Sequence, residues 1–246
     1  MGLPAHVAAC LFDLDGVLTQ TAKLHAAAWK TMFDAFLRSQ ASSDGKSFVV
    51  FDKLADYNKY VDGKPREDGV RSFLDSRDIK LPGGTPDDPP DADTIHGLGN
   101  RKNELLLRLV HEQGVESYEG SVSYVKAARE AGLARAVVSS SANCHEMLEA
   151  ADMTDLFDEV IDGVVAERDH LKGKPAPDTF LAAARALGTD PGRAAVFEDA
   201  LAGVAAGKAG GFAYVIGVDR VGHADALLQH GADRVVRDLS EMLPAP

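Results

Sequence analysis

The sequence predicts a doubly wound α/β protein, a parallel sheet with helices on both faces, interrupted by an inserted helical domain. Three observations carry this expectation. Residues 7–12 (VAACLF) form a short apolar run that stops at Asp13, Asp15 and Gly16, the pattern of a buried strand entering a turn. From residue 122 onward, stretches with helical periodicity alternate with short apolar runs, which implies parallel strands joined by helical crossovers. Between these two regions lies a long stretch with helical spacing and no strand pattern.

Taken in order, the first strand feeds a helix over 23–37. There Leu24, Ala27, Ala28, Met32, Ala35 and Phe36 recur at helical intervals, and Trp29 and Phe33 widen the apolar face. Residues 39–47 are polar and contain a glycine, and residues 51–75 read as two short helices broken at Gly63-Lys64-Pro65. Residues 81–99 set Pro82, Gly83, Gly84, Pro86, Pro89 and Pro90 among acidic side chains, which predicts a long surface loop. A helix over 100–113 follows. Helices over 122–131, 144–151, 179–187, 200–208 and 224–230 then alternate with strands over 134–138, 159–161, 194–197, 211–216 and 234–236. The core is expected in 1–20 and 110–246, and the helical insert in 21–109.

The 246 residues include 38 acidic and 26 basic ones, a formal charge of −12. This argues against a nucleic-acid partner, because phosphate-backbone binding rests on clustered Lys and Arg. No stretch holds the roughly 18 uninterrupted apolar residues of a membrane span, and the first residues lack a secretory pattern. The expectation is a soluble cytoplasmic monomer without membrane attachment. Cys10 and Cys144 sit in or beside apolar segments and read as small hydrophobes, with no disulfide framework or zinc site.

In open α/β sheets ligands bind beyond the carboxyl ends of the strands. Four polar groups fall there. Asp13 and Asp15 are two apart on an extended chain and point to one side. Carboxylates so close need a neutralising cation or a shared proton, which suits an Asp nucleophile beside an Asp acid/base at a magnesium ion. An acidic turn ending a strand explains the tetrapeptide equally well. Ser139, Ser140 and Ser141 precede a helix beginning near Asn143, where hydroxyls and backbone N–H groups can cradle a phosphate or simply cap the helix. Lys174 is a cation in a segment stiffened by Pro175 and Pro177. Glu198 and Asp199 end another strand and could ligate magnesium.

Together these motifs resemble the haloacid dehalogenase-like superfamily of phosphatases and phosphomutases. The likeness is carried by FDLDGVL at 12–18, VSSS at 138–141, KPAPDTF at 174–180 and FEDALAGVAAGKAG at 197–210. Within it the chain is most similar to the β-phosphoglucomutase group, through DLDGVLTQTAKLHAAAW ending at Trp29, GKPRED at 63–68, SSSAN at 139–143 and the pair Glu198-Asp199.

The resemblance implies that Asp13 attacks a phosphoryl group and becomes an aspartyl phosphate, while Asp15 moves a proton to and from the sugar hydroxyl. It implies Mg2+ held by Asp13, the Asp15 backbone carbonyl, Glu198 and Asp199, with Ser139 and Lys174 on the phosphoryl oxygens. Ser140, Ser141, Asn143 and Gly63 would line the substrate site. The insert would be a cap whose Arg66 grips the phosphate not being transferred and whose His25 positions the acid/base. Trp29 falls in the same motif, although helical aromatics usually pack in a core. Three positions depart from the family pattern: Gln20 and Asp62 stand where an Asp and a Lys are usual, and Ala142 replaces a Lys. The expected substrate is a sugar phosphate, with β-glucose 1-phosphate to glucose 6-phosphate interconversion favoured. A sugar-phosphate phosphatase is the alternative, and a non-catalytic sugar-phosphate-binding module a third reading.

Overall fold

A computed structural model describes residues 1–44 and 49–244. The polar stretch 39–47 lies partly outside them, and the first helix continues to Asp44, well beyond residue 37. Two compact units are present. One comprises Met1–Gln20, Gly63–Pro65 and Val115–Pro246, the other Thr21–Asp62 and Arg66–Gly114. Relative to the predicted insert of 21–109, the second unit extends to Gly114 and gives up three residues in its middle.

The first unit is a doubly wound α/β domain, as the alternating pattern predicts. Strands β1 (Ala9–Phe12), β2 (Ala134–Val138), β3 (Glu159–Ile161), β4 (Ala194–Glu198), β5 (Tyr214–Val218) and β6 (Arg234–Val236) form one parallel sheet in the order β3-β2-β1-β4-β5-β6. Strand β5 starts later than predicted, at Tyr214 rather than residue 211, because Gly211 adopts a φ of +69° and still belongs to the turn. The order reverses at β1, which pairs with β2 on one side and β4 on the other, so a crevice opens at its carboxyl end.

Side chains alternate across the sheet. Ala9 and Leu11 face a core shared with Val138, Val196 and Val215 and covered by α7 (Asp178–Ala186), α8 (Leu201–Ala209) and α9 (Ala224–His230) through Phe180, Val204 and Leu227. Phe12 turns the other way, stacks on Phe197 at 4.5 Å and meets Tyr124 of α4 (Glu119–Glu130) edge-on. Buried on both faces, such strands read as unbroken apolar runs. Helix α5 is Cys144–Ala150, and α6 (Gly163–Arg168), which the sequence reading did not foresee, is capped by the side chain of Asp162. Both cysteines are buried and unbridged.

The second unit packs α1 (Ala22–Asp44), a π-helical turn at Tyr57–Val61, α2 (Arg66–Asp75) and α3 (Ile95–Gln113) around Phe33, Phe51, Phe73, Met32 and Leu98. The expected loop over 81–99 is shorter, because α3 begins at Ile95 rather than residue 100. Thr94 caps it by accepting from Gly97 N at 2.9 Å, and buried Ile95 and Leu98 anchor its first turn. The preceding segment is tied down: Asn100 Nδ2 donates to the Pro86 and Asp88 carbonyls, and Arg101 Nε to the Pro90 carbonyl. Prolines lack an N–H, and here side chains of α3 satisfy carbonyls of a segment with little backbone pairing of its own. Among the described residues, no helix is long and apolar enough to cross a membrane.

Candidate active site

Asp13 is the first residue beyond β1, and its N–H still donates to Phe197 O at 2.9 Å. The turn that follows is tight. Leu18 N and Thr19 N both donate to Leu14 O, and Gly16 N donates to Thr19 O at 2.8 Å. Gly16 has a φ of +91°, and a Cβ there would lie 1.8 Å from Asp199 Oδ2. The absence of a side chain therefore lets the carboxylate at the end of β4 approach the turn after β1.

One carboxylate oxygen from each of Asp13, Glu198 and Asp199 lies within 4.8 Å of the others, and all three residues are buried. Lys174 joins them. Its Nζ donates to Asp13 Oδ1 at 2.5 Å, Glu198 Oε1 at 2.6 Å and the Val138 carbonyl at 3.0 Å, which engages all three ammonium protons. The other Glu198 oxygen accepts from Ala200 N at 2.9 Å.

Burial pushes the Asp13 carboxyl well above the usual carboxylate range, Lys174 pulls it back, and Glu198 and Asp15 push it up again. Burial also works against the Lys174 ammonium, but Asp13 and Glu198 outweigh it and hold its pKa above that of an ordinary lysine. Lys174 pairs with two of the three clustered carboxylates, so the cluster has oxygen ligands and negative charge to spare for a hard divalent cation such as Mg2+. The donor set fits that ion. Lys174 was expected on phosphoryl oxygens, and here its protons are engaged by the carboxylates and a carbonyl.

The serine segment lies at the adjacent strand end. Ser139 is buried, its N–H donates to Ile161 O and its Oγ accepts from Ser141 N at 3.1 Å. Ser140 Oγ donates to the Gly63 carbonyl at 2.8 Å, and Ser141 Oγ accepts from Asn143 N at 3.2 Å. These hydrogen bonds shape the segment as a turn ahead of α5. Within the first unit the structure thus brings together Asp13, Asp15, Lys174, Glu198 and Asp199, with the serines on the neighbouring strand and Gly63 beside them.

In the second unit His25 and Trp29 are one helical turn apart on α1. Trp29 is a core residue, buried and stacked on Phe33 at 5.2 Å, so packing accounts for it. Lys102 of α3, which sequence reasoning missed, is also buried. Its Nζ lies 3.1 Å from His25 Nδ1 and 5.2 Å from the Trp29 ring centre. A signal was present, since Lys102 occupies the stripe formed by Ile95, Leu98 and Leu106, where an apolar residue is expected. Arg66 opens α2, and its Nε pairs with Glu67 at 3.0 Å.

A sequence model of the haloacid dehalogenase-like hydrolases matches residues 7–211. The chain belongs to this family. It is an enzyme of that family, with the doubly wound core the family's phosphatases and phosphomutases share. Over 246 residues it is 56% identical to a β-phosphoglucomutase of Mycobacterium bovis, covering 99% of this chain and 94% of the relative. It is 28% identical to a phosphorylated carbohydrates phosphatase of Thermotoga maritima, covering 93% and 94% of the two chains. Among solved structures, a β-phosphoglucomutase of Clostridium difficile superposes with a TM-score of 0.74 at 23% identity, over 96% of this chain and 93% of that one, a likeness of fold.

Proposed function

We propose that the protein transfers phosphoryl groups on sugar phosphates through an aspartyl phosphate at Asp13, and that its reaction is the interconversion of β-glucose 1-phosphate and glucose 6-phosphate. The observation that carries this reading is the buried Lys174 ammonium, 2.5 Å from Asp13 and 2.6 Å from Glu198 beyond the central strand. It supports a carboxylate held in one orientation, with the ammonium opposing the upward push that burial gives its pKa.

In this reading Asp13 attacks phosphorus, the P–O ester bond breaks, and the departing sugar oxygen takes the proton of Asp15. The reverse sequence at the other sugar hydroxyl completes the interconversion. Phosphoryl transfer needs positioning and charge neutralisation more than elaborate covalent chemistry. Lys174 fixes Asp13 and supplies positive charge to the phosphoryl oxygens, and Ser139 adds a hydroxyl donor. Asp13, Asp15 through its carbonyl, Glu198 and Asp199 would hold Mg2+, which when bound offsets the negative charge of the transferring group. His25 and Lys102 orient the acid/base, and Arg66 holds the second phosphate.

The test offers the protein β-glucose 1-phosphate, magnesium and a trace of glucose 1,6-bisphosphate, and follows glucose 6-phosphate and inorganic phosphate together. Glucose 6-phosphate without phosphate release is the expected result. Stoichiometric phosphate release assigns the enzyme to sugar-phosphate hydrolysis, a second reading favoured by Asp62 and Ala142, which remove two cations available for a bisphosphate. Asp13→Asn abolishes either activity with an unchanged circular dichroism spectrum.

A further inference from the structure

We propose that Arg220 is a positioning residue for phosphoryl transfer, clamping the turn after the nucleophile so that Asp15 stays aimed at the leaving oxygen. This deepens the function proposed above and rests on it for the role of Asp15.

Arg220 lies two residues beyond β5, in the loop leading to α9. Its Nε donates to the Gly16 carbonyl at 2.9 Å. Nη1 donates to the Arg237 carbonyl at 2.7 Å and reaches Asp238 Oδ2 at 3.2 Å, while Nη2 reaches the Val17 carbonyl at 3.4 Å and Ser121 Oγ at 3.5 Å. A guanidinium has five N–H donors, and here five acceptors face them. Its flat face covers the Tyr118 ring, with the central carbon 3.5 Å from the ring centre.

Two of these partners act on the same turn. Ser121 Oγ donates to the Val17 carbonyl at 2.7 Å, and Tyr118 N donates to the Leu18 carbonyl at 2.9 Å. Arg220 therefore gathers the start of α4 and the segment after β6 onto residues 16–18. The first carbonyl it grips belongs to Gly16, the residue directly after Asp15. On its other side Gly16 is pressed against Asp199, so the turn sits between the guanidinium and a carboxylate of the acidic cluster. The loop of Arg220 reaches that cluster by a second route, because His223 hydrogen-bonds the Asp199 backbone.

The step that depends on this geometry is proton transfer. As Asp13 bonds to phosphorus and the ester P–O bond breaks, the alkoxide of a sugar must receive the Asp15 proton, whereas a phenolate leaves without one. A turn loosened at Gly16 misplaces the acid while leaving the nucleophile, which is held by Lys174 and by β4.

The experiment compares wild type with Arg220→Gln and Arg220→Lys on a sugar phosphate and on para-nitrophenyl phosphate. Sugar-phosphate kcat is expected to fall by about 100-fold with KM nearly unchanged, because small misplacements of a reacting group cost that much. Release of para-nitrophenolate falls far less. Lysine does not rescue, since the fork and not the charge makes the contacts. Equal losses on both esters, tracking the folded fraction, would reduce Arg220 to a structural role, and full rescue by lysine would overturn the geometric claim. Hydrogen exchange gives a readout independent of activity: amides of residues 16–19 exchange faster in both variants and the sheet amides do not. Unchanged exchange there would overturn the proposal. A wild type inactive on both esters would overturn the assigned function instead, leaving the exchange measurement to decide Arg220.

Discussion

Replacing Lys174 with Met removes the cation paired with Asp13 and Glu198 while keeping an unbranched side chain of similar length. The side chains of Lys174, Asp13 and Glu198 are 1%, 8% and 0% exposed, so water cannot take over the lost contacts. Breaking a buried ion pair by deleting one partner costs about 3–5 kcal/mol, because the other charge stays buried without compensation. For a chain of this size each kcal/mol moves Tm by roughly 2–4 °C, so a drop of about 6–20 °C is expected in the presence of a chelator. The sign with pH follows from Asp13. Its folded pKa is raised, so the native state takes up a proton that the unfolded state releases, and stability declines as pH rises through that window. Without Lys174 the decline extends to higher pH, and the deficit against wild type is smallest in acid. Adding Glu198→Gln to Lys174→Met relieves the repulsion and recovers part of the loss, a non-additivity expected of groups in direct contact. Calorimetry at pH 5 and pH 8 measures all three proteins. A deficit below about 1 kcal/mol that is the same at both pH values would refute the charge argument, whose lower bound is about 3 kcal/mol.

Gly16→Ala places a methyl group 1.8 Å from Asp199 Oδ2 on a backbone with positive φ, so the carboxylate must move. Magnesium affinity by isothermal titration is expected to fall by about 10–100-fold, and unchanged binding would remove Asp199 from the metal set. Lys102→Met leaves His25 without its buried partner on α3. Under the proposed function, turnover of the sugar phosphate drops by roughly tenfold with a shifted pH profile; an unaltered profile and rate would count against a role for the His25–Lys102 pair. Burial pushes the Cys10 thiol from 9.0 up to about 12, with Arg135 only partly opposing. Between those values the native thiol keeps a proton that the unfolded one releases, so stability falls as pH rises by up to about 1.4 kcal/mol per pH unit. Cys10→Ala flattens this slope in urea titrations between pH 9 and pH 11, and equal slopes would contradict it.

Strands β1, β2 and β4 were legible because doubly buried strands leave little room for polar residues, and the acidic and hydroxyl residues that follow them mark the crevice. The start of α3 was hidden. Gly97 and Gly99 look like breakers, yet a Cβ at Gly97 would lie 2.3 Å from the Ala92 carbonyl, so the glycine permits a close approach inside a helix. The carboxylate pair and the serine segment announced themselves by type and position. What Lys174 touches did not, because its contact with Asp13 spans 161 residues and depends on the sheet order. Arg220 was invisible for a related reason: its five acceptors are three main-chain carbonyls, a carboxylate and a serine hydroxyl that any sequence could supply, brought together only by the folded chain.

The three residues Gly63–Pro65 count with the first unit although their neighbours on both sides belong to the second. The polypeptide therefore changes units four times and not twice. A stretch 21–114 exchanged between relatives as one uninterrupted cassette would carry a foreign Gly63 carbonyl to Ser140 and a foreign Pro65 ring to Gly173, where even a methyl group would clash. Chimeras of this enzyme should thus treat residues 63–65 as part of the recipient, and natural variation in the insert is expected to be constrained at these three positions more tightly than around them.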